Sequence, residues 1–385
     1  MSSFAQRATM NDHPYLFVDS QPELERAANA LTACPRLYLD TEFESGRGPT
    51  RLCLLQISSG AEIFLVDTLK LPRLDPLTEV FSRPDTVWVF HAGLQDLPLI
   101  EQRLHVRASQ RLFDTQVAYS LVSAESNVSL AYLRYQLLGS RWGKAHQADD
   151  WLARPLSESQ LQYAASDVRD LPALTELLLQ RADAKDRREL VFEASREALG
   201  SSREPSPPLT LENFRNAWQL GPESQAGLRF LIGWHNALSS EEKLTAPDLK
   251  TLTALAARLP ETPSALARIK GVSAGVVQRH GAHLAKGLTS AARQATAADF
   301  VPIEPLPYAT FVDLRRDAWL GLLRAEVCAA LECSPEHVLP QRTLRELKAK
   351  LQEGRTARLS TALRGYRQRL LGDAVDAFCN DHPPP

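Results

Sequence analysis

The sequence of 385 residues has little of what marks secreted, zinc-binding or membrane proteins. Its five cysteines form no Cys-x-x-Cys pair and have no histidine cluster nearby: Cys34, Cys53, Cys328, Cys333 and Cys379. This pattern argues against a zinc site or a disulfide framework and favours a reducing compartment. No apolar run reaches about 18 residues, so we expect no membrane-spanning helix and no membrane partner. The polar residues 1–12 lack the apolar core of a signal peptide and are predicted to be a disordered tail of a cytoplasmic protein.

A strong net charge is also missing. The chain has 44 Lys and Arg against 46 Asp and Glu, a formal net charge of −2, so no general basic field attracts nucleic acid. The charge is uneven, with −6 for residues 1–206, +3 for residues 207–290 and +1 for residues 291–385. Any affinity for nucleic acid must therefore come from local basic patches.

Two proline-rich stretches divide the chain into three predicted domains. Residues 201–208 and 292–307 have the composition of linkers. Residues 13–200 show three β-rich runs that suit antiparallel pairing, followed by strands that alternate with helices. This order predicts an α/β ribonuclease-H-like fold, a mixed sheet flanked by helices. Residues 209–291 and 308–380 read as two all-α domains.

The segment Leu37–Phe43 carries the first chemical signal. Apolar residues alternate with Tyr38, Asp40 and Glu42, the period of a strand, so the two acids share one face. Two carboxylates aimed at one spot raise each other's pKa unless a cation neutralises them. An isolated Asp-x-Glu pair would also fit a solvated strand edge.

Three more residues turn this pair into a candidate two-metal site. Asp96 falls on the first turn of a helix that follows a buried strand, where an acid also stabilises the helix dipole. Tyr163 and Asp167 are four residues apart on a predicted helix and share one face. Four carboxylates suit divalent hard cations, which can hold the attacking and leaving oxygens of a phosphoryl displacement. A tyrosine hydroxyl nearby could orient the attacking water.

The motifs in this region resemble those of a known family. Asp-Thr-Glu-Phe at 40–43, His-Ala-x-x-x-Asp-Leu at 91–97 and Tyr-Ala-Ala-Ser-Asp at 163–167 are similar, in order and spacing, to the three motifs of the DEDDy 3′→5′ exonucleases. The fit is closest to ribonuclease D, which residues 113–116 and 150–156 also resemble.

The resemblance implies a role for each of these side chains. Asp40, Glu42, Asp96 and Asp167 would be the metal ligands of two divalent cations, Mg²⁺ or Mn²⁺, and Tyr163 would orient the water. The implied reaction releases nucleoside 5′-monophosphates from an RNA 3′ end.

Six further residues are predicted to bind substrate: Thr41, Phe43, His91, Leu94, Lys144 and Gln147. Phe43 and Leu94 could wedge against the terminal base, since apolar and aromatic faces accept any base. Lys144 could hold a phosphate as a point charge, or be an exposed loop lysine. His91 fits an ordering role at a strand end better than a titrating one.

The helical C-terminal half resembles a second family. Residues 234–237, 246–249 and 269–272 are similar to the HRDC domain, a small helical bundle shared by ribonuclease D and RecQ helicases. Residues 333–340 and 363–372 look like a diverged second copy. Residues 342–369 hold nine basic and two acidic residues, a stretch that could follow an RNA backbone or form a solvated helix face.

These observations predict a monomeric 3′→5′ exoribonuclease that trims RNA 3′ ends, with tRNA precursors as the expected partners. Two alternatives stay open at this stage. The chain could act on DNA 3′ ends in repair, or it could be a non-catalytic RNA-binding scaffold. The presence of all four acids favours the enzyme.

Overall fold

The computed structural model describes residues 15–45, 50–108, 111–140, 150–200, 208–305, 310–352 and 358–385. The chain separates into two compact units. The first comprises Met1–Arg203 together with Val312–Pro385, and the second comprises Glu204–Phe311. None of the helices within the described ranges is long and apolar enough to cross a membrane.

The first unit is built on one mixed sheet of six strands: β1 (Tyr15–Val18), β2 (Arg36–Glu44), β3 (Arg51–Ser58), β4 (Ile63–Asp67), β5 (Val87–Phe90) and β6 (Leu112–Asp114). The strand order is β1-β4-β3-β2-β5-β6. β2, β3 and β4 pair antiparallel, whereas β1, β5 and β6 run parallel to their neighbours. The mixed sheet of the predicted ribonuclease-H-like fold is confirmed.

Eight helices cover the two faces of this sheet: α1 (Gln21–Leu31), α2 (Asp75–Phe81), α3 (Asp96–Leu104), α4 (Thr115–Ser120), α5 (Leu130–Leu138), α6 (Glu158–Arg169), α7 (Leu171–Asp183) and α8 (Arg188–Gly200). Helices α1 to α3 share a buried core with Leu37 and Leu39 of β2. Helices α4 to α8 contribute to a second core, which contains Tyr38 of β2. Because side chains alternate along a strand, Asp40 and Glu42 lie on the Tyr38 face, the side on which α6 packs.

A β-bulge interrupts the pairing of β2 with β3. Glu42 pairs with Leu54, but the next residue, Phe43, pairs with Leu52, so Cys53 is the extra residue. A bulge leaves its extra residue outside the regular ladder and bends the strand. The bulge therefore lies directly beside the acid pair.

The second unit is all-helical and has a core of its own. Its helices are α9 (Pro222–Ala237), α10 (Ser240–Thr245), α11 (Leu249–Arg258), α12 (Pro263–Ala267) and α13 (Ala274–Gln294). Leu228, Leu255 and Leu284 are fully buried together in that core. Asp248 caps α11 by accepting a hydrogen bond from the Thr251 backbone N–H at 2.7 Å.

The C-terminal segment has four helices: α14 (Phe311–Ala330), α15 (Pro335–Val338), α16 (Gln341–Gln352) and α17 (Gly365–Asp381). Its buried residues Leu323, Val327 and Tyr366 belong to the same core as Tyr38. The Ser334 N–H donates to the Ser120 carbonyl at 2.7 Å. The predicted boundaries at 201–208 and 292–307 stay predictions, but residues 312–385 share a core with the α/β domain.

Candidate active site

The centre of the site is a group of three carboxylates. Oxygen atoms of Asp40, Glu42 and Asp167 all lie within 4.8 Å of one another. The strand period of β2 places the first two on one face, and α6 packs on that face with Asp167 in its last turn. Side chains far apart in sequence are thereby brought to one place.

The fourth predicted acid, Asp96, lies beside this group and is held by a hydrogen bond. Asp96 is the first residue of α3, only 8% exposed, and its carboxylate accepts a hydrogen bond from the Thr41 hydroxyl. Burial raises the pKa of Asp96 to about 6. Asp96 lies outside the 4.8 Å group, but its charge is one of those that raise the pKa of Asp40.

The electrostatics of the cluster are unfavourable without a cation. Desolvation, and then the charges of Asp96, Asp167 and Glu42, raise the pKa of Asp40 well above its ordinary value. Desolvation raises the pKa of Asp167 to about 6, against the opposing effect of Arg134. Hard divalent cations prefer such oxygen donors and would relieve the repulsion, so the donor set fits the metal that the sequence predicts.

Tyr163 is placed one helical turn before Asp167, as predicted from the spacing of four residues. It is half-buried and hydrogen-bonds to the Asp167 carboxylate. Desolvation, together with the charges of Asp167, Glu42 and Asp40, raises the pKa of its hydroxyl. The hydroxyl therefore stays protonated at neutral pH and acts as a hydrogen-bond donor rather than as a base.

The predicted substrate-binding residues fall into three groups. Phe43 is half-buried next to Glu42, and Leu94 is 43% exposed just before Asp96, so both side chains can be reached from solvent. Thr41 is buried on Asp96, and the two ring nitrogens of His91 lie 2.9 Å from the Thr115 hydroxyl and 3.1 Å from the Val128 carbonyl. Lys144 and Gln147 fall outside the described residues.

The loop that leads into Asp96 is fixed by Asp114, the N-cap residue of α4. Asp114 accepts hydrogen bonds from Gln116 and Val117 at the start of α4, and also from the N–H groups of Ala92 and Gly93 at 3.1 and 3.0 Å. A Cβ at Gly93 would lie 2.5 Å from the Phe90 side chain, so only glycine fits there. The sequence signal for the cap was visible, but the contact with the loop was not.

Two arginines support the site: the buried Arg134, which was not singled out in the sequence, and the partly buried Arg154, which lies in the motif at 150–156. Arg134 of α5 is 2% exposed, pairs with Asp170 at 2.9 Å and hydrogen-bonds to the Ser166 carbonyl, directly beside Asp167. Its permanent charge offsets part of the negative charge of the acids.

Arg154 holds the segment behind Tyr163. It binds both carboxylate oxygens of the fully buried Asp67, at 2.6 and 2.8 Å, and donates to the carbonyls of Trp151 and Cys53 at 2.8 and 3.1 Å. The Trp151 ring lies against Tyr163, with ring centroids 6.3 Å apart. Such a bidentate pair fixes the direction of the segment as well as its position.

The chain is similar to known proteins over most of its length. Residues 15–182 match the 3′-5′ exonuclease domain family, and residues 248–287 match the HRDC domain. The ribonuclease D of Gluconacetobacter diazotrophicus is 34% identical over 277 residues, which cover 68% of this chain and 68% of that protein. The chain belongs to the ribonuclease D family. The ribonuclease D of Pseudomonas paraeruginosa is 30% identical over 349 residues, 89% of this chain and 91% of that protein.

Solved structures show the same fold. The Escherichia coli ribonuclease D structure, described as an exoribonuclease involved in structured RNA processing, matches with a TM-score of 0.75 at 24% identity, over 96% of this chain and all of that one. The catalytic core of RRP6 from Trypanosoma brucei matches with a TM-score of 0.55 at 23% identity, over 74% of this chain and 81% of that one. The first of these matches shows that the fold of the ribonuclease D family extends over nearly the whole chain.

Proposed function

We propose that this ribonuclease D family member is a divalent-metal-dependent 3′→5′ exoribonuclease that releases nucleoside 5′-monophosphates from structured RNA precursors such as those of tRNA. The single observation that carries this proposal is the cluster of three carboxylates, those of Asp40, Glu42 and Asp167, with Asp96 beside it. The description of the Escherichia coli relative supports structured RNA as the substrate class.

The four acids would hold two divalent cations, Mg²⁺ or Mn²⁺. When bound, such cations supply Lewis acidity that stabilises the charge of the phosphoryl group and acidifies water. The protein's part is to hold the carboxylates close together and to oppose in part the rise in their pKa values. The backing charge of Arg134 and the Thr41 hydrogen bond to Asp96 both favour the ionised forms.

Tyr163 would position the attacking water. Its hydroxyl stays protonated because its pKa is raised, and the hydrogen bond to Asp167 holds the ring toward the acids. A correctly placed donor reduces the orientational freedom of the water before attack. Packing of Trp151 on the ring limits the movement of Tyr163.

Product analysis of a 5′-labelled, 3′-hydroxyl RNA oligonucleotide tests the proposal. We expect a ladder that shortens by one nucleotide, with 5′-monophosphates as products and no reaction in EDTA. Asp40→Asn should lower the rate roughly 10³-fold, because it removes one ligand charge from the cluster. Glu25→Gln, at an exposed position on α1, is the matched control and should react like the unchanged protein.

Three outcomes would contradict the proposal. Full activity of Asp40→Asn would show that the acids take no part in the reaction, and full activity in EDTA would show that no divalent metal is needed. Degradation of a matched DNA oligonucleotide in preference to RNA would change the substrate class. If the active protein left tRNA precursors with 3′ extensions intact, tRNA precursors would be excluded as substrates and the rest of the proposal would stand.

A further inference from the structure

A cavity of about 450 Å³ lies directly next to Asp96 within the first unit. One wall is formed by Leu94 and Gln95 before α3, another by Gln116 in α4, and a third by Ala198 near the end of α8. His337 in α15 of the C-terminal segment completes it. The volume falls in the range of pockets that hold small ligands.

The described part of the wall contains two carboxylates, those of Asp96 and Asp114, and otherwise uncharged side chains. Among the described residues that line the cavity there is no lysine or arginine. Burial lowers the pKa of His337 to about 4, so its imidazole is uncharged at neutral pH. Asp114 also lines the cavity, but its carboxylate already accepts hydrogen bonds from four backbone N–H groups. A phosphate group would find no cation here.

The wall combines hydrogen-bonding amides with apolar surface. The Gln116 amide nitrogen donates to the Val128 carbonyl at 2.9 Å, which leaves its amide oxygen as an acceptor. The exposed side chain of Gln95 adds a second amide, and Leu94 and Ala198 are apolar. A flat, uncharged heterocycle with a hydrogen-bonding edge fits this lining better than a charged ligand does.

We propose that this cavity binds the nucleobase of the nucleotide on the 5′ side of the scissile phosphate. The inference rests on the proposed function, which places that phosphate at the acids, of which Asp96 borders the cavity. The RNA chain has to continue from this base into solvent, and two of the lining residues, Leu94 and Gln95, are exposed. His337 makes the C-terminal segment part of the substrate site.

The test uses RNA oligonucleotides that lack one base at a time. Stable abasic residues replace the 3′-terminal or the penultimate nucleotide, and kcat/KM is measured for release of the first nucleotide. A bound base contributes about 1–3 kcal/mol, so loss of the penultimate base should lower kcat/KM of the unchanged protein about 5- to 150-fold.

Filling the cavity should remove this discrimination. In Ala198→Trp the indole occupies the space of the base, so intact and penultimate-abasic RNA should react at rates within about 2-fold of each other. Discrimination against the terminal-abasic RNA should be unchanged. Ala184→Trp, at an exposed position outside the cavity wall, is the matched control and should discriminate like the unchanged protein.

Two further variants keep the test decisive if Ala198→Trp unfolds, which thermal unfolding would reveal. Ala198→Leu fills part of the space, and His337→Ala removes the wall from the C-terminal segment; each should weaken the discrimination. The inference is overturned if the folded variants still discriminate fully, or if they lose discrimination at the terminal base instead. Failure of the unchanged protein to release nucleotides from any RNA would overturn the proposed function itself.

Discussion

The two helical regions of the C-terminal half differ in how they are stabilised. Residues 208–305 bury their apolar side chains against one another, with Leu228, Leu255 and Leu284 at the centre. In the C-terminal segment, Leu323 and Tyr366 are buried in the core of the α/β domain. The first region has a hydrophobic core of its own, and the second shares the core of the exonuclease domain.

The difference also changes the meaning of the basic stretch 342–369. Arg367 and Arg369 of α17 pair with Glu197 and Glu193 of α8, in the exonuclease domain. Lys348 pairs with Asp317 at 2.7 Å within the C-terminal segment. Arg342 also pairs with Glu346 at 3.4 Å, so at least four of the nine basic side chains in this stretch form ion pairs, which reduces the charge available to an RNA backbone.

Truncation should separate the two regions most clearly. A chain that ends at Phe311 lacks residues 312–385 and exposes the core side of the exonuclease domain to water. We expect nucleotide release to be lost altogether and cooperative unfolding to remain only for residues 208–305. The fragment 208–305 should unfold cooperatively on its own, since its core is complete. Circular dichroism melts and a release assay measure both.

The opposite pattern would refute the comparison. A chain ending at Phe311 that shows a second cooperative transition, besides that of residues 208–305, and release within about 2-fold of the full chain would make residues 312–385 an appended domain.

Matched core substitutions sharpen the contrast at the level of single residues. Leu323→Ala and Leu255→Ala each remove a fully buried leucine, at a cost of about 2–5 kcal/mol in the free energy of unfolding. We expect Leu323→Ala to weaken hydrogen-exchange protection in β3 and β5, and Leu255→Ala to weaken it in α9 and α13 only. Loss of protection in β3 on Leu255→Ala would show that the two cores are coupled.

The two units should also respond to pH in opposite directions when divalent cations are removed. The pKa values of Asp96 and Asp167 are raised to about 6, so the folded first unit holds more protons than the unfolded chain between about pH 4 and 6. Its stability therefore falls as pH rises through that window, by on the order of 2 kcal/mol.

In the second unit the pKa values of Glu242 and Asp248 are lowered by their capping hydrogen bonds. Stability from these groups is present at neutral pH and is lost as pH falls below about 4. Hydrogen exchange in EDTA from about pH 3 to 7 measures each unit separately. Asp96→Asn should flatten the pH dependence of the first unit's stability and leave that of the second unit unchanged. If the pH dependence of the first unit stayed the same in Asp96→Asn, the acids would not be its cause.

The smallest effect is expected from the ion pairs between α17 and α8. Both glutamates are partly exposed, so Glu193→Gln and Glu197→Gln together should cost less than about 1 kcal/mol in the free energy of unfolding. Urea denaturation measures it. A loss comparable with that of Leu323→Ala would mean that charge, rather than the shared apolar core, attaches the C-terminal segment.

The sequence was most informative where the chemistry follows from local periodicity. The period of two in β2 places Asp40 and Glu42 on one face, and the spacing of four in α6 places Tyr163 beside Asp167. Both rules depend on backbone geometry alone. Asp96 could be placed because a buried strand ends just before it.

Features that depend on long-range packing could not be predicted. The edge strand β1 is four residues long, and its partner β4 lies some fifty residues further along the chain. Arg134 looks like a surface arginine until tertiary contacts bury it, and Arg154 becomes partly buried through its pair with Asp67. The cavity beside Asp96 needs His337, which is more than two hundred residues away in sequence. The shared core of residues 312–385 likewise has no local signature.

The bulge between β2 and β3 has a consequence for how the active site could have been assembled. The extra residue, Cys53, offers its carbonyl to Arg154. In a perfectly regular ladder the Cys53 carbonyl would accept a hydrogen bond from the neighbouring strand. Arg154, which holds the segment behind Tyr163, would then lose one of its hydrogen-bond acceptors. Deleting one residue from β3 would thus make the strand pairing regular but leave the Tyr163 side chain less restrained. In this protein, an irregularity of the sheet supports the chemistry.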